Sequence, residues 1–192
     1  MPLLEVILVS TRPGRVGAPV ANWFRDHAVR QNNFDVELVD LAQVNLPLFD
    51  EPTHPRLRQY AHDHTKAWSA RVARADAFVF VTPEYNHGAP PSLVNAIDFL
   101  VHEWAYKPAG FVSYGGAAGG ARSVQMTKLM LVALKVVPLP ETVLIPFFTT
   151  MIDQASGRFA PPANLAAAAD AMLAELRRWT DALQPLRSAK TS

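Results

Sequence analysis

The sequence predicts an α/β fold: a doubly wound sheet of five parallel strands in the order 2-1-3-4-5, with helices on both faces. Two observations predict it. Five short apolar runs alternate with stretches of helical periodicity, the pattern of right-handed crossovers covering both sides of a parallel sheet. One run, Ala77 to Val81, contains only apolar residues, as a central strand buried on both faces requires.

Leu3 to Val9 is rich in branched residues and closed by Ser10, which suits a first strand. Val16, Val20, Phe24 and Ala28 then recur at helical spacing, so a helix is predicted to start near Gly17 to Pro19, where proline lacks no needed N–H. Phe34 to Leu41 includes alternating apolar and acidic residues and predicts a second strand near a sheet edge. Ala42 to Pro55 carries Pro47, Pro52 and Pro55 and predicts an irregular flap. Leu57, Tyr60, Ala61, His64, Trp68 and Val72 mark the helix that leads to the third strand, Ala77 to Val81. Ser92 is expected to cap the next helix, with Leu93, Ala96, Ile97, Leu100 and Val101 facing inward. Ala109 to Tyr114 is the fourth strand, and Met126, Leu129, Met130, Ala133 and Leu134 continue as a helix whose methionines read as core filler. The fifth strand lies within Val136 to Ile145, where Pro138 and Pro140 put it at an edge. Ala163 to Leu183 forms a terminal amphipathic helix expected to end before Pro185, with a frayed tail after about 185.

At 192 residues and 49% hydrophobic, the chain is expected to form a single domain over 1–192. Basic residues exceed acidic ones by one and form no block, which argues against a nucleic-acid surface or a membrane anchor. No cysteine is present, so disulfides, thiol nucleophiles and thiolate-held metals are excluded, and redox chemistry would need a bound cofactor. The first strand begins without a leader-like segment, so a soluble, cytoplasmic protein is expected. His62 and His64 are two residues apart, the wrong spacing for a shared helix face, and together with His54 they are read as solvated; no metal site is expected.

Three loops carry the chemistry. Ser10 to Pro19 holds two hydroxyls, Arg12, Arg15, two glycines and no acid at the start of a helix, a setting for phosphate. A solvated turn with surface ion pairs is the alternative. Thr82 to Ser92 combines rigid prolines with Tyr85, Asn86 and Gly88, a ledge for a flat heterocycle. Gly115 to Arg122 is nearly free of side chains and lets a planar ligand lie against backbone. It is neither a dinucleotide fingerprint nor a P-loop. These loops follow strands one, three and four, which the predicted order makes neighbours, with the switch point between one and three.

Val9-Ser10-Thr11-Arg12-Pro13-Gly14-Arg15, Thr82-Pro83-Glu84-Tyr85-Asn86-His87-Gly88 with Ser92-Leu93-Val94-Asn95-Ala96-Ile97-Asp98, and Ser113-Tyr114-Gly115-Gly116 together resemble the NADPH-dependent FMN reductase family of quinone, chromate and azo-dye reductases. The resemblance covers most of residues 3 to 150. It implies a flavodoxin-like fold, tightly held FMN, and a homodimer or dimer of dimers. It also implies ping-pong reduction of a quinone, flavin, azo dye or chromate by NADPH or NADH, with hydride passing through flavin N5. Position by position, it implies that Ser10, Arg12 and the backbone around Arg15, Val16 and Gly17 hold the FMN phosphate. Pro83, Glu84, Tyr85 and Asn86 would line the isoalloxazine, and Gly115 and Gly116 would approach its pyrimidine end. Many members carry Ser near the helix start where this chain has Gly17, a departure for Arg15 or backbone N–H groups to compensate.

No side chain is expected to be catalytic, because the flavin carries the chemistry. Tyr85 and His87 are candidates for a proton relay, with packing and solvation as equal alternatives. Arg122 is a candidate partner for a 2′-phosphate. Trp104 and Tyr106 fit either the core or a subunit interface. Two other classes stand against the enzyme reading. A non-enzymatic FMN electron carrier is disfavoured by the arginine-bearing loop and near-neutral charge, and a phosphate-ester hydrolase by the lack of a metal-binding acidic cluster.

Overall fold

The computed structural model describes residues 1–188. Its elements run β1 (Leu3–Leu8), α1 (Ala18–Gln31), β2 (Asp35–Asp40), α2 (Leu41–Val44), α3 (Asp63–Arg74), β3 (Ala77–Pro83), α4 (Pro91–Asp98), β4 (Pro108–Gly115), α5 (Ala121–Ala133), β5 (Val137–Pro146) and α6 (Ala163–Ser188). The five strands form one parallel sheet in the order β2-β1-β3-β4-β5, the flavodoxin-like arrangement the sequence predicts. No described helix is long and apolar enough to cross a membrane.

Strand alternation divides the core in two. Val79 and Val81 of β3 join Val6, Val20, Phe24, Met172 and Leu176 beneath α1 and α6. Phe78 and Phe80 face the other way and join Trp68, Leu93, Ile97, Trp104 and Phe111 beneath α3, α4 and α5. Trp104 is therefore a core residue: its ring is fully buried 4.9 Å from that of Phe78, and its indole donates to the Ile97 carbonyl.

Several elements differ in detail from the sequence expectation. The helix marked by Leu57, Tyr60 and Ala61 begins only at Asp63. Upstream, the Glu51 carboxylate accepts the Ala61 and His62 N–H groups, which holds that stretch as loop, and Leu57 is exposed. Ser92 does not cap α4; Pro90 takes that position, and the Ser92 hydroxyl donates to the Val9 carbonyl at 2.8 Å, tying α4 to the end of β1.

On α5 the buried face is Ser123, Val124, Thr127 and Leu131, whereas Met126 and Leu129 point outward. Small residues face inward because the helix starts hard against β4: a β-carbon on Gly120 would lie 2.8 Å from that of Ser113. β5 is an edge strand, and its pairing with β4 slips between Ala109 and Phe111, opposite the prolines that cannot donate to the ladder.

The expected stop before Pro185 is overturned. α6 continues through Pro185 to Ser188, held by Arg187, which donates to the Tyr106 carbonyl and pairs with Asp76 at 3.1 Å. The rest of the tail expected to fray, 189–192, lies outside the described residues.

Candidate functional site

Loops leaving the carboxyl ends of β1, β3 and β4 border one cleft of about 320 Å³, within the range of small-molecule pockets. Ser10, Arg12, Arg15 and Val16 line it from the first loop, Pro83, Glu84 and Tyr85 from the second, and Tyr114, Gly115 and Gly116 from the end of β4. Phe147, Phe148 and Thr149, after β5, add a wall that the sequence reading did not contain. They stand beyond a strand demoted to the edge, and no motif announces them.

In the first loop the two arginines are unlike. Arg15 is committed inside the protein: it donates to the Ser10 carbonyl at 3.0 Å and pairs with Asp40 at the end of β2. Arg12 is exposed, and its guanidinium makes no hydrogen bond or ion pair among the described residues. Behind it, α1 opens at Gly17 with no side-chain cap and no acid in its first turn. The partial positive charge of that helix end is therefore left for a ligand. One free guanidinium beside an open helix end is chemistry for a small anion.

Gly17 is set back from the cleft lining. Its backbone, at φ −83°, suits any residue, so space is what calls for glycine. A β-carbon there would lie 2.0 Å from the Tyr114 hydroxyl oxygen. That hydroxyl is buried and has no hydrogen-bond partner among the described residues, while the ring packs on Phe148 at 4.7 Å. Burial pushes the phenol above its ordinary ionisation range, so it stays protonated and able to donate. Tyr114 escaped the sequence reading because it reads as one more apolar strand residue.

The second loop is pinned at both ends. Tyr85 and Gly88 exchange backbone hydrogen bonds of 3.1 and 2.9 Å, closing a tight turn with Asn86 and His87 at φ 49° and 67°. Two positive φ values in succession suit a hairpin-type turn that Asn tolerates, so Asn86 shapes the loop and does not line the cleft. The Tyr85 hydroxyl lies 2.9 Å from Ser10 Oγ, joining the second loop to the first.

Glu84 accepts from the Arg122 backbone N–H at 3.0 Å and from its Nε at 2.6 Å, which fastens the ledge to the start of α5. These Arg122 hydrogen bonds hold the Glu84 carboxyl below its ordinary range. Arg122 is thus occupied by Glu84, which counts against the 2′-phosphate role considered for it.

Within the glycine floor, roles also divide. Gly119 and Gly120 have φ values of 58° and 88°, and added β-carbons would collide with the backbone of β4 and β5. They serve close packing. A β-carbon on Gly116 would meet nothing within 4 Å, so this residue presents bare backbone to the open cleft. Elsewhere, His62 and His64 stack at 5.1 Å beside Asp50, and no cluster suited to a metal ion occurs among the described residues.

These residues fit FMN. Arg12 and the open end of α1 suit a phosphate dianion, the unpartnered Tyr114 hydroxyl lies beside them, and the bare backbone at Gly116 suits the edge of a flat ring.

Comparisons with known proteins agree. The profile of a family described as NADPH-dependent FMN reductase matches residues 3–150. An NAD(P)H-dependent FMN reductase of Schizosaccharomyces pombe is 46% identical over 127 residues, which cover 65% of this chain and 64% of that protein. An NAD(P)H:quinone oxidoreductase of Solanum tuberosum is 35% identical over 95 residues, covering 46% of this chain and 45% of the potato protein. The aligned segment thus spans less than two thirds of either relative. Among solved structures, the flavoenzyme NAD(P)H:(acceptor) oxidoreductase of Paracoccus denitrificans superposes with a TM-score of 0.75 over 94% of this chain and 98% of that one. At 21% identity, that likeness shows a shared fold.

Proposed function

Because this chain belongs to the NADPH-dependent FMN reductase family, we propose that it is an FMN-dependent oxidoreductase that uses NADPH or NADH to reduce quinones or similar flat acceptors in a ping-pong sequence. The observation that carries the reading is the convergence of the Ser10–Val16 loop, the Pro83–Tyr85 ledge and Gly116 on one cleft at the carboxyl edge of adjacent strands. The potato relative's name supports a quinone as acceptor. Bound FMN would supply the redox chemistry, taking a hydride from the nicotinamide and passing it to the acceptor.

The chain's own part is binding and orientation. Arg12 and the first turn of α1 would meet the phosphate, with Ser10 and the backbone from Arg15 to Gly17 around it. Pro83, Glu84 and Tyr85 would lie along the ring system, and Gly115 and Gly116 under its pyrimidine end. Glu84 is charged, paired with Arg122 and turned away from proton transfer, so no side chain of the ledge is assigned as an acid or base. A homodimer or dimer of dimers is part of the same reading. Its support is the exposed apolar row Met126, Leu129 and Val132 on α5, adjacent to the ledge through Met126, whose sulfur accepts the Ala89 N–H.

The test is anaerobic mixing of FMN-loaded protein with NADPH or NADH. Loss of the flavin's visible absorbance, restored by adding a quinone, is the expected result. A flavin that stays oxidised with both donors would remove the enzyme reading and leave an electron carrier.

A further inference from the structure

Two observations about different residues meet at one point. Gly17 opens α1 without a side-chain cap, at ordinary φ, and an added β-carbon would lie 2.0 Å from the Tyr114 hydroxyl oxygen. That hydroxyl, carried by β4 from the far side of the loop, is buried without a hydrogen-bond partner among the described residues. A buried hydroxyl with no partner is costly and calls for an explanation, and a partner that arrives with a ligand is one that fits a hydroxyl at the edge of a cleft.

The surroundings identify the ligand. Tyr114 borders the same cleft as Arg12, Arg15 and Ser10. Its hydroxyl sits where a side chain at the helix cap would sit. The nearby donors are otherwise few: Arg15 is held by Asp40 and the Ser10 carbonyl, and Ser10 Oγ is shared with Tyr85. No acid occupies the first turn of α1. A protonated phenol at that place is an unspent donor against the start of α1, next to the anion site.

We propose that Tyr114 is a phosphate-binding residue of the FMN site, its hydroxyl donating to the terminal phosphate in place of a side chain at position 17, and that Gly17 is glycine so that this hydroxyl can reach the start of α1. The proposal rests on the FMN reading above. It turns the apparent loss at Gly17 into an exchange: the hydroxyl is delivered across the loop from β4 instead of from the helix itself.

The test compares FMN with riboflavin, which shares the ring and lacks the phosphate. Apoprotein made from the purified full chain is titrated with each, following the quenching of flavin fluorescence. In Tyr114→Phe, FMN affinity is expected to fall about ten- to hundred-fold, as for loss of a hydrogen bond to a charged group, while riboflavin affinity holds. The thermal midpoint of the apoprotein should stay level or rise, since the lost hydroxyl had no partner. Gly17→Ala displaces the same hydroxyl without removing it and is expected to narrow the preference for FMN over riboflavin in the same way. An unchanged FMN-to-riboflavin ratio in Tyr114→Phe overturns the proposal, as does an equal loss for both ligands, which would mark the tyrosine as packing only. Wild-type apoprotein that takes up neither flavin would overturn the FMN reading itself, and the proposal with it.

Discussion

Glu5 carries a charge into the middle of the sheet, and its removal should stabilise the protein in a pH-dependent way. The residue lies on β1, fully buried, and neither carboxylate oxygen has a hydrogen-bond partner among the described residues. Arg71 and Arg74 approach only to 3.8 and 3.9 Å from half-exposed positions on α3. Burial outweighs their attraction, so the carboxyl is pushed up to about 7 from 4.5. The folded chain therefore holds this proton more tightly than the unfolded chain. Stability linked to it is complete below pH 4.5 and is lost as pH rises through about 7. At about 1.4 kcal/mol per pH unit, the loss is roughly 3 kcal/mol by pH 8. Glu5→Gln keeps the shape and has no charge to bury. Urea denaturation followed by circular dichroism between pH 4.5 and 8 should show the variant gaining on the wild type as pH rises, with the difference approaching that value at pH 8. A difference that does not change with pH would refute the argument, and so would a variant less stable than wild type at pH 8.

Other substitutions separate the parts of the cleft. Arg12→Ala should weaken FMN binding by about 1.5 to 3 kcal/mol with little change in the apoprotein's thermal midpoint, since the free guanidinium supports nothing else. Arg15→Ala should lower that midpoint as well as affinity, because it takes the ion-pair partner from Asp40 and the side-chain donor from the Ser10 carbonyl; equal behaviour of the two variants would contradict the division drawn between them. Glu84→Gln should destabilise the fold by about 1 to 3 kcal/mol in chemical denaturation through loss of the charge-assisted bonds to Arg122. Leu129→Glu, on the exposed row of α5, should shift the particle mass measured by light scattering toward the monomer, and a wild type that is already monomeric would remove that interface.

Much of the architecture was legible because strand burial is written in composition. Ala77 to Val81 reads as a central strand, and it is one, with β1 and β4 on either side. The two proline positions in β5 likewise read as an edge, because a proline cannot donate to a ladder. What stayed hidden were contacts between loops that are far apart in sequence. Nothing near Arg15 announces Asp40, and nothing in Ser113-Tyr114-Gly115 says that the tyrosine points under Gly17. Helical periodicity also misplaced the inner face of α5, since close approach to β4 selects Ser123 and Thr127 over larger neighbours. The loop residues could be named from sequence, but which arginine was free could not.

That distinction bears on how the cleft works. Its walls are joined to one another by the chain's own bonds: Ser10 to Tyr85, Glu84 to Arg122, Ser92 to the Val9 carbonyl, and Phe147 N–H to the Gly116 carbonyl. Each bond bridges two different loops or strand ends, so the shape exists before a ligand arrives and little ordering is left to oppose binding. The Arg12 guanidinium and the Tyr114 hydroxyl stand outside this network, one exposed and one buried, and both are without hydrogen-bond partners among the described residues. On the proposed reading, a rigid frame with two unspent donors at one end would concentrate ligand recognition at the phosphate. The ring would then, on the same reading, be held mainly by shape and backbone, which would place few polar demands on whatever stacks against its open face and would let several flat acceptors share that place.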